Sequence, residues 1–330
     1  MGKVNIGFWG NRFGDDEFKT ILKVRSSILS GLRKFFDENG FIEIHPPHIT
    51  KATGACENID TMFILDYFGR QVYLSQTGQL YLEVLTPFLK KVWCTIHSFR
   101  AENEVDDRHL TEFILVELEF AGDFSQLLKY IEEAIWSSVK EVFERNRDEL
   151  KIFGVDSDYL EGFKPPYRKI TYTEAIDILK AEYGLNWGDD LKSIHEKKLV
   201  EIFGGKPLFI THFPKKIKFF NMRENDDNPD VVNSADLILP YSGEAVGAAE
   251  REYRYERLLK RLLDSQMYRM LVKRGGSIED FDWYLDFWKN YGETLHSGCG
   301  IGLNRLLQSI LRLNSIMKTT AYPMNRLYIY

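Results

Sequence analysis

Phe18, Ile21, Leu22, Ile28, Leu29, Leu32 and Phe35 recur three and four residues apart. That spacing predicts a helix over about residues 15–39, which Gly40 stops. Phe41-Ile42-Glu43-Ile44 reads as a short strand ended by Pro46-Pro47, because proline has no N–H for a sheet. Gln71–Leu74 reads as a strand and Gly78–Leu89 as a helix. Val92–Phe99 and Glu112–Phe120 are strand candidates joined by a charged connection, Arg100 to His109, which predicts a long antiparallel hairpin with a polar tip. Helical spacing returns over about 123–148, 173–182, 190–203 and 251–274. Short strands are expected near Pro207–Thr211, Lys216–Met222 and Val232–Leu239, and a last helix follows the glycines at 298, 300 and 302. Antiparallel strands with helices to one side predict an α+β domain.

Composition narrows the class. The 330 residues are 44% hydrophobic, enough for a large core, and the scattered 24 Gly and 10 Pro mark no linker. A net charge of −6 argues against gripping a nucleic acid by bulk charge and leaves room for a local basic patch. No long uncharged apolar run predicts a membrane span, and the N-terminus has no signal-peptide pattern. Cys56, Cys94 and Cys299 lie far apart, so neither a disulfide framework nor a zinc site is expected, and a cytoplasmic location fits.

Three clusters could carry chemistry. Arg100 and Glu102 share a strand face, with Arg108, His109, Glu112 and Phe113 following, then Glu117 and Glu119. Arginine neutralises phosphate and carboxylates hold magnesium, so this set suits a triphosphate; from spacing alone a solvated charged hairpin whose ions pair with one another is the favoured reading. Asp236 and Glu244 flank a turn and could share a cation, with Arg251 beyond; ordinary turn acids would look the same. Gly298-Cys299-Gly300-Ile301-Gly302 permits close backbone approach ahead of a helix that carries Arg305. No GxGxxG or GxxxxGK[ST] loop occurs, which disfavours two common nucleotide folds.

In this order the clusters resemble the three signature motifs of class II aminoacyl-tRNA synthetases, most closely the asparaginyl members of the asparaginyl/aspartyl subgroup. The likeness extends through Leu74–Glu83 (LSQTGQLYLE), Lys164–Leu179, Trp187–Glu196 and Lys216–Arg223, from about residue 17 to the C-terminus. It implies an antiparallel sheet flanked by helices and a homodimer formed through the first helix, the strand after it and Pro47. It also implies AMP-forming ligase chemistry, in which an amino-acid carboxylate attacks the α-phosphorus of ATP with Mg²⁺. By the match, Arg100 would bridge the α-phosphate and the substrate carboxylate. Glu102, Arg108 and His109 would contact ATP, and Phe113 and Arg305 would sandwich adenine. Asp236 and Glu244 would hold the metal. Glu57 and Gln79 would meet the substrate ammonium, and Arg251 its side-chain oxygen. Aspartyl relatives carry a lysine where Leu82 stands, so Glu83 would accept an amide NH₂ and favour asparagine over aspartate.

Several positions depart from the pattern. Asn58-Ile59-Asp60 replaces small residues, Ala248-Ala249-Glu250 replaces Gly-Ser-Gln, Asn304 stands for an acid and Pro46 for a threonine. Residues 1–16 read as an extension and 17–330 as the catalytic domain, leaving no room for the subgroup's anticodon-reading OB-fold. That make-up is similar to the archaeal asparagine synthetase related to these enzymes, which passes activated aspartate to ammonia. The expectation is therefore activation of asparagine or aspartate with transfer to a non-standard acceptor, ammonia or another amine. The alternatives are a truncated enzyme acylating tRNA, and a catalytically silent paralogue that regulates a partner.

Overall fold

Asp15 accepts the N–H of Glu17 at 3.1 Å and starts helix α1 (Asp16–Glu38), whose apolar stripe is buried through Ile21, Val24, Ile28, Leu32 and Phe35. Gly40 then takes φ +71°, the left-handed turn that ends the helix. The computed structural model describes residues 14–51 and 59–329. Next come β1 (Ile42–Glu43), β2 (Ile49–Thr50), β3 (Ile64–Tyr67), β4 (Arg70–Leu74) and α2 (Gln79–Glu83). The expected hairpin is β5 (Lys91–Phe99) and β6 (Glu112–Phe120), followed by α3 (Phe124–Arg145). A peripheral unit follows with β7 (Arg168–Thr171), α4 (Tyr172–Tyr183), α5 (Ser193–Ile202) and β8 (Leu208–Thr211). The chain closes through β9 (Ser234–Leu239), β10 (Gly243–Glu250), α6 (Tyr255–Asp264), α7 (Gln266–Lys273), α8 (Asp282–Tyr291), β11 (Ser297–Gly302) and α9 (Leu303–Ile310).

Eight strands form one sheet in the order β1-β5-β6-β11-β10-β9-β8-β7, antiparallel except for the outer pairs β1–β5 and β7–β8. A three-stranded sheet, β2-β4-β3, stands beside it. α1 and α3 cover one face. They cross so closely that a Cβ on Gly31 would lie 2.5 Å from the Cα of Ser138. The opposite face of the central strands is left for the site. Among the described residues no helix is long and apolar enough to cross a membrane.

The structure corrects four local expectations. The helix expected over Gly78–Leu89 stops at Glu83 and restarts at Thr86, where Pro87 suits a first turn. Lys216–Met222 forms no strand: Lys215–Ile217 is a 3₁₀ turn and Met222 makes only an isolated bridge to Arg251. The helix over 251–274 breaks at Ser265, whose hydroxyl caps α7 by accepting from the N–H of Tyr268 at 3.0 Å. The glycine-rich run at 298–302 is a central strand, not a loop.

Candidate active site

β11 lies between β6 and β10, with Gly298 opposite Glu119 and Gly300 opposite Glu117. Gly298 supplies the space the Glu119 carboxylate occupies, while a Cβ on Gly300 would make only ordinary contact with Glu117 at 3.5 Å. A Cβ on Gly298 would sit 2.0 Å from the carboxyl carbon of Glu119. Gly298→Ala is therefore expected to force Glu119 out of place and to cost about 1–3 kcal/mol of stability, read by thermal unfolding. An unchanged melting temperature would contradict this packing.

Glu119 anchors Arg251, which β10 delivers just past its end. Arg251 donates Nε (3.1 Å) and Nη2 (2.6 Å) to the same Glu119 oxygen, and both residues are buried. Burial pushes the Glu119 carboxyl up to about 8; Arg251 pulls it down and the nearby Glu83 charge raises it. Glu83 has no exposed surface. Its carboxylate accepts from Gln79 Nε2 (2.6 Å), Asn221 Nδ2 (2.6 Å), Tyr284 Oη (2.5 Å) and His296 Nε2 (3.3 Å), and lies 3.8 Å from Arg251 Nε. Burial alone would raise its pKa; the donors, His296 first and then Arg251 and Tyr284, reverse this and hold it below the usual carboxylate value. Glu117 is held by the Thr77 hydroxyl and the N–H of Gly78, with burial raising its pKa.

A cleft of about 410 Å³ opens in front of this wall. Gln79, Arg100, Glu102, Arg108, His109, Phe113, Asp236, Glu244, Arg251 and Arg305 all line it, so ten expected site residues are brought together. Glu83 is the correction: four donors surround it behind Gln79 and Arg251, so it supports the wall and does not face the cleft. Glu57 lies outside the described residues. Toward the other end, the Arg100 guanidinium lies 5.2 Å from the Phe113 ring centre, and Arg100 Nε is buried without a hydrogen bond. Arg305 donates to the carbonyl oxygen of Glu244, and burial lowers its pKa. His109 Nδ1 meets Asp106 at 2.8 Å.

Lys218 donates to both oxygens of Asp236, at 3.0 and 2.7 Å. A cation shared by Asp236 and Glu244 would therefore have to share Asp236 with this ammonium. Glu196, to which the sequence assigned no role, accepts the N–H of Glu244 at 3.2 Å and lies 3.7 Å from Arg108. Burial first, and then the Glu244 charge, raise the Glu196 pKa. A Cβ on Gly243, at φ +76°, would meet Glu196 Oε2 at 2.4 Å, so this contact needs a glycine there. Asn221, Tyr284 and His296 were also unassigned. They come from three separate segments and carry no local signal, although Asn221 and Glu196 fall within stretches that resemble the family.

Residues 12–326 match the family model described as "tRNA synthetases class II (D, K and N)". The chain is 39% identical over 314 residues to the asparagine–tRNA ligase of Pyrococcus furiosus, covering 94% of this chain and 69% of that protein. It is 40% identical over 306 residues to the asparagine–tRNA ligase of Pelotomaculum thermopropionicum, covering 92% and 68%. The fold matches asparaginyl-tRNA synthetase from Pyrococcus horikoshii complexed with asparaginyl-adenylate at a TM-score of 0.90 and 36% identity, over 98% of this chain and 72% of that one. With the expected residues gathered on one face of the antiparallel sheet, this chain belongs to the class II tRNA synthetase family and is a ligase like the asparagine–tRNA ligases.

Proposed function

We propose that this protein activates asparagine with ATP and transfers the asparaginyl group to tRNA. The observation that carries this reading is Arg251, held by Glu119 in a cleft that Arg100 also lines, on a fold shared with a protein complexed with asparaginyl-adenylate. In the first step an oxygen of the amino-acid carboxylate bonds to the α-phosphorus of ATP and the α–β anhydride breaks, releasing pyrophosphate. In the second a ribose hydroxyl of the tRNA end attacks the carbonyl carbon and AMP leaves. Charge crowding on phosphate dominates the first barrier, so fixed cations should supply most of the catalysis. Arg100 neutralises the α-phosphate and the incoming carboxylate. Phe113 and Arg305 supply the two faces of an adenine slot, and Glu102, Arg108 and His109 contact the nucleotide.

The hydrogen bonds set the amino-acid pocket. Gln79 gives its NH₂ to Glu83, which leaves its carbonyl oxygen to accept from the substrate ammonium. Arg251 gives Nε and Nη2 to Glu119, which leaves Nη1 for the side-chain oxygen. Glu83, held ionised by its donors, already puts a negative charge 3.8 Å from this guanidinium, so a neutral carboxamide fits and a second carboxylate is repelled. Asp236, Glu244 and Glu196 offer carboxylate oxygens, the ligand type Mg²⁺ takes, and a bound ion would neutralise phosphate charge. We read the protein as a homodimer through α1 and the segment to Pro47.

The relatives at 39–40% identity favour tRNA over the ammonia or small-amine acceptor first expected from the domain make-up. The test is pyrophosphate exchange with each amino acid, then product formation with total tRNA or ammonium. Asparagine is expected to exceed aspartate by about 10⁴-fold in kcat/KM, with tRNA-dependent product. Preference for aspartate, or turnover with ammonium alone, would overturn the reading.

A further inference from the structure

A second cavity, about 830 Å³, adjoins the cleft: Asp190, Ile217 and Lys218 line both. Lys215, Lys216 and Lys218 stand on one wall. Arg257, Lys260 and Arg261 stand on the other, three and four residues apart and thus on one face of α6. Part of this charge is already used. Lys215 lies 3.5 Å from Glu224, Lys218 is paired with Asp236, and Arg261 donates to the carbonyl oxygens of Met222 and Phe219. Lys216, Arg257 and Lys260 are exposed and make no ion pair among the described residues. In a chain of net charge −6, this local excess of cations is out of keeping with the whole.

We propose that this groove holds the sugar-phosphate backbone of the single-stranded RNA end that the cleft acylates. The proposal rests on the function reading above and names the path by which that partner enters. Three observations choose the occupant. The unpaired cations call for a polyanion. The shared wall at Ile217 and Lys218 places one end of that polyanion at the reacting groups. The aromatic rings that line the groove, Phe219 and Phe220, are buried and offer no face to a base, so contact is with phosphates and not with sequence.

The test is the triple charge reversal Lys216→Glu/Arg257→Glu/Lys260→Glu in the full chain. A second triple, Lys180→Glu/Lys197→Glu/Lys206→Glu, makes the same charge change at exposed positions that do not line the groove. The groove triple is expected to raise the half-saturating tRNA concentration about tenfold or more and to flatten the salt dependence of log K by about 2. Asparagine-dependent pyrophosphate exchange should stay within about twofold of wild type. Equal effects of the two triples on tRNA would overturn the proposal, and so would a matching fall in exchange. A fluorescein-labelled single-stranded RNA ending in CCA, followed by anisotropy, provides an arm independent of charging. If wild type binds it and the groove triple does not, the groove stands even where wild type charges no tRNA and the function reading falls. If both bind it alike, the groove proposal falls whatever the charging assay gives.

Discussion

Arg251→Ala is expected to abolish asparagine-dependent pyrophosphate exchange and to lower stability by about 3–5 kcal/mol. The size follows from what is left behind. Glu119 and Glu83 are buried carboxyl groups that share this one guanidinium, and removing it leaves the Glu83 charge without a permanent counter-ion and Glu119 without its donor. Arg251→Lys separates the two effects. An ammonium restores charge but not the planar fork that meets Glu119 through two nitrogens, so stability should recover in part and exchange should not. Urea unfolding and exchange assays on both variants check this. Near-normal exchange by the alanine variant would remove Arg251 from the site.

Arg100→Ala should lower kcat for exchange by about 10²–10³-fold, the usual loss when one donor to developing charge is removed. The fold should be little affected. Arg100 is only half-buried, its Nε makes no hydrogen bond, and its chief contact is the Phe113 ring. The two arginine variants are therefore expected to differ in kind: one loses activity with structure, the other activity alone. AMP release by Arg100→Ala at the wild-type rate would show that α-phosphorus chemistry does not pass through this residue.

Local pattern was enough for the elements that frame the site. The α1 stripe carries a period of three-to-four that packing then used directly, and β5 and β6 are apolar-rich runs on either side of a charged connection. It failed where residues serve a neighbour. β11 is rich in glycine, which has poor strand propensity, and Gly298 is there because Glu119 needs the room. The break at Ser265 is hidden inside an unbroken helical spacing, since a capping serine looks like any other serine until a turn ends on it. β10 was missed because Gly247, Ala248 and Ala249 carry little strand signal, yet the strand is buried in the middle of the sheet.

The sequence by itself determined the chemistry on offer: the arginines, the carboxylates and their order, which resemble a class of enzymes that join an amino acid to a nucleotide. Only the tertiary structure decided which of those groups face the cleft. Glu83 shares a short helix with Gln79, yet Gln79 lines the cleft and Glu83 is sealed behind it. The difference arises because Asn221, Tyr284 and His296, donors from three distant parts of the chain, close over that one carboxylate. Burial depends on what packs around a residue, and a linear order of side chains does not contain it.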